Sequence, residues 1–180
     1  VLTLSDSSGT IHVPKGLTSE MFHFVKNLKE KRRGRIKEAA EHFDDIEYLD
    51  GQRPWGIPVD VALPCATQNE LDLDNAKTLV ENGVKAICEG ANMPTESEAA
   101  KYLLEKRVLL GPGKAANAGG VAVSGLEQSQ NALRISWDRE EVDNRLQNIM
   151  KTIHNQCVEY GGDGEYVHYP HGANIAGFKK

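Results

Sequence analysis

The chain reads as an α/β protein, with a mostly parallel β-sheet covered by helices on both faces. Three observations predict this. Short apolar, β-rich runs alternate with longer segments of helical periodicity, the pattern of strand–helix–strand units whose crossovers cover a parallel sheet. Four of these runs end in small, polar, hydrogen-bonding residues: Val1 to Leu4 into Ser5-Asp6-Ser7-Ser8-Gly9, Val59 to Pro64 into Cys65-Ala66-Thr67-Gln68-Asn69-Glu70, Val84 to Cys88 into Glu89-Gly90-Ala91-Asn92-Met93-Pro94, and Val108-Leu109-Leu110 into the stretch Gly111 to Val121. That last stretch, GPGKAANAGGV, is dense in glycine and alanine around Lys114 and Asn117. Such residues let backbone approach a ligand closely, and ligands of open α/β sheets sit beyond the carboxyl ends of the strands. By itself the stretch reads equally well as a tight strand-to-helix turn with no ligand. Together, the four strand ends imply one shared crevice.

The elements follow in order. After the Val1 strand, a helix is expected over about 18–42, capped by Thr18, with Met21, Phe22, Val25 and Leu28 at helical spacing and an interruption at Gly34. Ile46 to Leu49 is a short strand, and Asp50 to Pro58 is a turn-rich connector containing Trp55. The Val59 strand precedes a helix around Asp74 to Asn82 that ends on Gly83. The Val84 strand precedes a helix from Thr95 to about Lys106, where Thr95 and Glu98 would form a capping box. Beyond the Val108 strand, Gly119 to Ile135 is helical. A long helix over Asp138 to Tyr160 would bury Val142, Leu146, Ile149, Met150, Ile153 and Cys157. Gly161 to Gly164 reads as a flexible link to an aromatic, His-rich tail.

Composition narrows the function classes. With 180 residues, 39% hydrophobic and 26% charged, the chain can bury an ordinary soluble-protein core. A net charge of −5 argues against general nucleic-acid binding. Cys65, Cys88 and Cys157 lack metal spacing and are expected as reduced thiols in the cytoplasm. His154, His168 and His171 likewise lack metal spacing and are read as structural or exposed. No apolar run approaches the roughly 20 residues needed to span a bilayer. Val rather than Met opens the chain, inside a strand, so the sequence is expected to be part of something longer.

The candidate chemistry lies in two groups of residues. Lys29, Arg32 and Arg35 recur three apart among further basic residues, either as a solvated basic helix face or as a phosphate-binding one. In a dinucleotide-binding fold, an acidic residue at the end of the second strand takes the ribose hydroxyls of NAD, whereas hydroxyl and basic groups take the 2′-phosphate of NADP. Asp6 favours the first; Ser7, Lys29, Arg32 and Arg35 favour the second. Asn69, Asn92 and Asn117 each follow a strand, where an amide can serve a carboxamide or amino-acid head group, or simply a turn. Lys114 is either a catalytic lysine or one that neutralises a nearby carboxylate. Glu89 reads as structural, with Lys114 as its candidate partner.

These motifs, in this order and almost end to end, resemble the hexameric, NADP-preferring glutamate dehydrogenases of the glutamate/leucine/phenylalanine/valine dehydrogenase superfamily. The resemblance is carried by Ser5 to Gly9, Pro58-Val59-Asp60 through Glu70, Glu89 to Pro94, Pro112 to Ser124, and Gly172-Ala173-Asn174-Ile175-Ala176-Gly177-Phe178. It implies reversible oxidative deamination of L-glutamate to 2-oxoglutarate and ammonium through an iminoglutarate, in a cytoplasmic homo-hexamer with no nucleic-acid or membrane partner. It also implies roles for residues. Ser7, Lys29, Arg32 and Arg35 would hold the NADP 2′-phosphate. Ala66, Thr67 and Asn92 would line the adenosine and nicotinamide ribose side, and Asn117 would contact nicotinamide or substrate. Val121 and Ser124 would help to bind the substrate side-chain carboxylate.

The sequence departs from that family in having no Gly-x-Gly-x-x-Gly/Ala loop before the Val1 strand. The family's substrate domain, with its catalytic lysine and aspartate, has no counterpart either. The expected architecture is therefore a truncated Rossmann-like cofactor domain over 1–135, with a returning helical segment over 136–180. Such a piece is expected to turn over no glutamate alone and to expose a sheet edge prone to self-association. Another amino-acid dehydrogenase of the superfamily, or a non-catalytic nucleotide-binding module, are the competing readings.

Overall fold

The computed structural model describes residues 1–179. The chain forms two compact units, Val1–Val59 and Asp60 onward.

In the first unit, β1 (Thr3–Asp6) and β2 (Gly9–His12) form an antiparallel hairpin turned by Ser7-Ser8. Helix α1 (Ser19–Asn27) starts where the Thr18 hydroxyl accepts the Met21 N–H at 3.2 Å, the expected cap. A wide π-helical turn over Leu28–Arg32 follows, and Arg33 adopts a left-handed conformation at φ 54°. After Gly34 the chain resumes as α2 (Lys37–His42), and β3 (Glu47–Asp50) pairs antiparallel with β2. Ile11, Val13, Met21, Val25, Ile36, Ala39 and Ile46 form the core between sheet and helices. Trp55 is buried in a single 3-10 turn, Pro54–Gly56.

The second unit is built on a parallel sheet of β4 (Val61–Ala62), β5 (Ala86–Cys88) and β6 (Leu109–Gly111), in the order β4-β5-β6. Helix α3 (Leu73–Glu81) links β4 to β5, and α4 (Ser97–Glu105) links β5 to β6. Both crossovers bury one apolar stripe: Ala76 and Leu79 on α3, Ala99 and Leu103 on α4, each fully buried with Ile87 of β5. Each large side chain so buried contributes about 1.5–3 kcal/mol. A single turn, α5 (Gly113–Ala116), leads into α6 (Ala118–Leu133); α7 (Arg139–Gly161) and α8 (Tyr169–Phe178) close the chain. Helices α7 and α8 pack against each other. A Cβ on Gly172 would collide with the Cys157 backbone, its carbonyl carbon at 2.9 Å, so only glycine permits that approach.

The α/β class is present, as are the helices expected around 74–82, 95–106, 119–135 and 138–160, and Gly83 follows α3 in a left-handed conformation, φ 83°. Several details differ from expectation. The β1 edge belongs to a separate antiparallel sheet, so the four strand ends do not share one sheet. The Ser7-Ser8 turn makes a hairpin, and the Gly9–His12 strand was not anticipated. The single helix expected over 18–42 is broken, because a π turn, a left-handed Arg33 and Gly34 interrupt it. Thr95 does not cap α4: Glu96 is the N-cap, and the buried Thr95 hydroxyl has no hydrogen-bond partner. Of the α7 stripe only Cys157 is buried; Val142, Leu146, Ile149, Met150 and Ile153 are half-buried. The Gly161–Gly164 link is an ordered turn. Asp163 Oδ1 accepts the N–H groups of Glu165 and Tyr166 at 3.0 and 2.7 Å, and Tyr166 Oη donates to the Val108 carbonyl at 3.0 Å.

Candidate functional site

The first unit gathers its basic residues around the β1–β2 turn. Asp6, at the end of β1, is the hub. Its Oδ1 accepts both the N–H and the hydroxyl of Ser8, at 2.9 and 2.6 Å, while its Oδ2 accepts Lys29 Nζ at 2.8 Å and the Ile36 N–H at 2.9 Å. Burial opposes ionisation of this carboxyl, but the hydrogen bonds from Lys29, Ser8 and Ile36 outweigh it and hold its pKa well below the usual carboxylate range. A carboxylate offers about four lone-pair sites, and four donors already occupy them. Asp6 is thus a structural anchor with no capacity left for a ribose diol.

The cations are differently disposed. Lys29 is committed to Asp6 and to the Gly34 carbonyl at 3.0 Å. Arg32 Nη2 donates to Glu38 Oε2 at 2.6 Å. Arg35 Nη1 donates to Ser7 Oγ at 2.6 Å. Among the described residues, no acidic group pairs with the Arg35 side chain. An exposed guanidinium beside an exposed hydroxyl, with no carboxylate among the described residues paired to the cation, is a ready receptor for a phosphate. The four predicted residues Ser7, Lys29, Arg32 and Arg35 therefore meet, though not along one helical face. The π turn and the break after it swing Arg35 out of the helix toward the β-turn.

In the second unit, backbone bonds tie the strand-end loops together. The N–H groups of Gly90 and Ala91 donate to the Pro64 carbonyl at 3.0 and 3.1 Å, the Asn69 N–H to Met93 at 3.0 Å, and the Glu89 N–H to Gly111 at 3.0 Å. These loops shape an open cleft of about 730 Å³ lined by Ala66, Thr67, Gln68, Gly90, Ala91, Asn92, Asn117 and Val121. Five of these were predicted; Gln68, Gly90 and Ala91 are additions from the same strand ends. Asn117 Nδ2 donates to Asn92 Oδ1 at 2.7 Å, which leaves an amide oxygen on one and an amide N–H₂ on the other for a ligand. Asn69 instead serves the turn, at φ 55°.

Glu89 and Lys114 do not pair as expected. The buried Glu89 carboxylate accepts the Gly113 N–H at 2.7 Å, fastening the start of α5 to the end of β5. Lys114 Nζ donates to the Asn174 side-chain oxygen on α8. Ser124 Oγ donates to the Gly120 carbonyl one turn back, at 3.3 Å, and does not line the cleft. Burial pushes the Cys88 and Cys157 thiols above their usual pKa, so both stay protonated near neutrality.

The family model described as Glutamate/Leucine/Phenylalanine/Valine dehydrogenase matches residues 1–180. An NADP-specific glutamate dehydrogenase of Salmonella typhimurium is 58% identical over the whole chain, and an NAD-specific glutamate dehydrogenase of Porphyromonas gingivalis is 45% identical over the whole chain. A crystal structure of Plasmodium falciparum glutamate dehydrogenase superposes with a TM-score of 0.93 at 47% identity, over 99% of this chain and 39% of that one. The chain spans about 40% of the length of the relatives it matches. Among the described residues, no helix is long and apolar enough to cross a membrane.

Proposed function

The chain belongs to the glutamate/leucine/phenylalanine/valine dehydrogenase family, and from that premise we propose that it is the NADP-holding part of a glutamate dehydrogenase. The whole enzyme would interconvert L-glutamate with 2-oxoglutarate and ammonium, as a homo-hexamer. The relatives named NADP-specific reach 58% identity and one named NAD-specific reaches 45%, which indicates NADP; the side chains point to how this chain would hold it. The observation that carries it is the asymmetry at the β1–β2 turn: the Asp6 carboxylate is saturated by its own neighbours, while Arg35 and Ser7 stand ready for a phosphate. A ribose diol finds no free acceptor at Asp6; a 2′-phosphate finds a guanidinium and a hydroxyl.

When bound, NADP supplies or accepts the hydride exchanged with the substrate α-carbon. This chain's residues bind and orient. Ser7, Arg32 and Arg35 hold the 2′-phosphate, with Lys29 braced on Asp6 beside them. Ala66, Thr67 and Asn92 line the ribose side of the cleft, and Asn117 presents its amide to the nicotinamide carboxamide or the substrate. Small residues at Ala66, Gly90 and Ala91 let a flat ligand lie against backbone. Val121 and Ser124 meet the substrate carboxylate when the whole enzyme is assembled.

Calorimetric titration with 2′,5′-ADP, against 5′-AMP as control, tests the cofactor assignment. Tighter binding of 2′,5′-ADP is expected, and equal binding of the two would refute it. The 180 residues alone are expected to give no NADPH oxidation with 2-oxoglutarate and ammonium; turnover by pure material would contradict the assignment of the acid–base residues to another part of the enzyme.

A further inference from the structure

The cations of the first unit are not equally available to an anion, and one carboxylate accounts for the difference. Glu38, in the first turn of α2, places Oε2 2.6 Å from Arg32 Nη2 and accepts the Arg35 backbone N–H on Oε1 at 3.0 Å. It is lodged rather than swinging. A Cβ on Gly34 would collide with Glu38 Oε1 and with Leu28 Cδ1, so the missing side chain at Gly34 is what admits the carboxylate. One oxygen of Glu38, Oε2, thus sits where a phosphate oxygen would sit against Arg32, while the other holds the Arg35 N–H.

Building on the NADP reading above, we propose that Glu38 is a built-in counter-ion that a 2′-phosphate displaces from Arg32, and that it sets the strength and selectivity of that site. With Lys29 matched by Asp6 and Arg32 by Glu38, Arg35 is the one of these three cations that has no acidic partner among the described residues. A singly charged group needs nothing more. A phosphate dianion gains its second guanidinium only by taking Arg32 from Glu38, and it meets the glutamate's own charge in doing so. The cost weakens every dianion, and it falls most heavily on ligands that cannot engage Arg32 with two oxygens. Because the carboxylate also holds the Arg35 N–H, it keeps the loop folded while the site is empty.

The test uses the full 180-residue chain and 2′-AMP as probe, with adenosine as control. Glu38→Gln keeps an oxygen for the Arg35 N–H and removes the charge. It is expected to tighten 2′-AMP binding by roughly fivefold, the scale of one exposed charge pair, and to leave adenosine unchanged. In an Arg32→Ala background the same substitution is expected to change affinity less than twofold, since the competition is for Arg32. An equal gain in that background would mean a diffuse charge effect and would overturn the proposal. In the unsubstituted chain, the Glu38 side-chain carboxyl ¹³C resonance is expected to move on saturation with 2′-AMP and not with adenosine; a stationary signal would also overturn it. Should the chain bind 2′-AMP no better than adenosine with either residue at 38, the NADP reading itself fails. Should it bind 2′-AMP equally well with both, Glu38 is only a loop brace and the NADP reading stands.

Discussion

The two units recognise by opposite means. In the first, long charged side chains converge on a β-turn, each held by a named partner: Lys29 by Asp6, Arg32 by Glu38, Arg35 by Ser7. In the second, backbone and small residues form the cleft, with the Asn92–Asn117 amide bond joining two of its loops. The first unit therefore reads charge, and its selectivity can be changed by single substitutions that leave its core alone. The second reads shape and amide pattern, and its geometry is inseparable from the strand-end backbone that zips the loops together.

Removal of Asp6 separates the two most strongly. Asp6→Ala strips four hydrogen bonds from the first unit, including the one to the Ile36 N–H, and is expected to cost about 3 kcal/mol. Hydrogen exchange should rise at Ile11 and Val13 while Ile87 and Leu110 keep their protection. The same residue sets an acid limit. Because its folded pKa is depressed, the stability it adds is complete above the ordinary aspartate pKa of about 4. That stability is lost as the pH falls below this value and through the lower folded one. Asp6→Asn should flatten that part of the urea-unfolding profile.

Next in size, Arg35→Ala is expected to weaken 2′,5′-ADP binding roughly tenfold, the scale of one charge-assisted hydrogen bond, with 5′-AMP little affected by calorimetry. Asn117→Ala acts on the other unit. It is expected to lower affinity for nicotinamide mononucleotide roughly fivefold, with no change in 2′-AMP binding. The smallest effect concerns neither ligand. Thr95→Val removes a buried hydroxyl without a partner and should be neutral or stabilising by up to about 1 kcal/mol in urea unfolding.

The cleft was more legible in the sequence than the charged cluster's wiring, and the reason is physical. A strand followed by Ala66-Thr67, Gly90-Ala91-Asn92 or Gly113 to Val121 is a local signal, and although each alone reads as well as a turn, their repetition at successive strand ends points to a cleft. The strand order β4-β5-β6 follows from the two helical crossovers. By contrast, the bonds of Asp6 reach Lys29 and Ile36, residues distant in sequence. The π turn at Leu28–Arg32 leaves no mark in a run of charged residues. The β1–β2 hairpin was hidden because Ser7-Ser8 lacks the usual Asn-Gly or Asp-Gly turn signal. Thr95 misled for the opposite reason: the capping-box pattern was present, but Thr95 forms an isolated parallel bridge with Leu71, and the N-cap falls on Glu96 instead.

Amide chemical-shift mapping of the chain with NADP⁺ and then NAD⁺ would settle whether charge reading belongs to the first unit alone. Both cofactors are expected to perturb Thr67, Ala91, Asn92 and Asn117, and only NADP⁺ should perturb Ser7, Ser8, Arg32 and Arg35. Identical maps from the two cofactors, or NADP⁺-specific shifts confined to the cleft, would contradict the division of labour between the units.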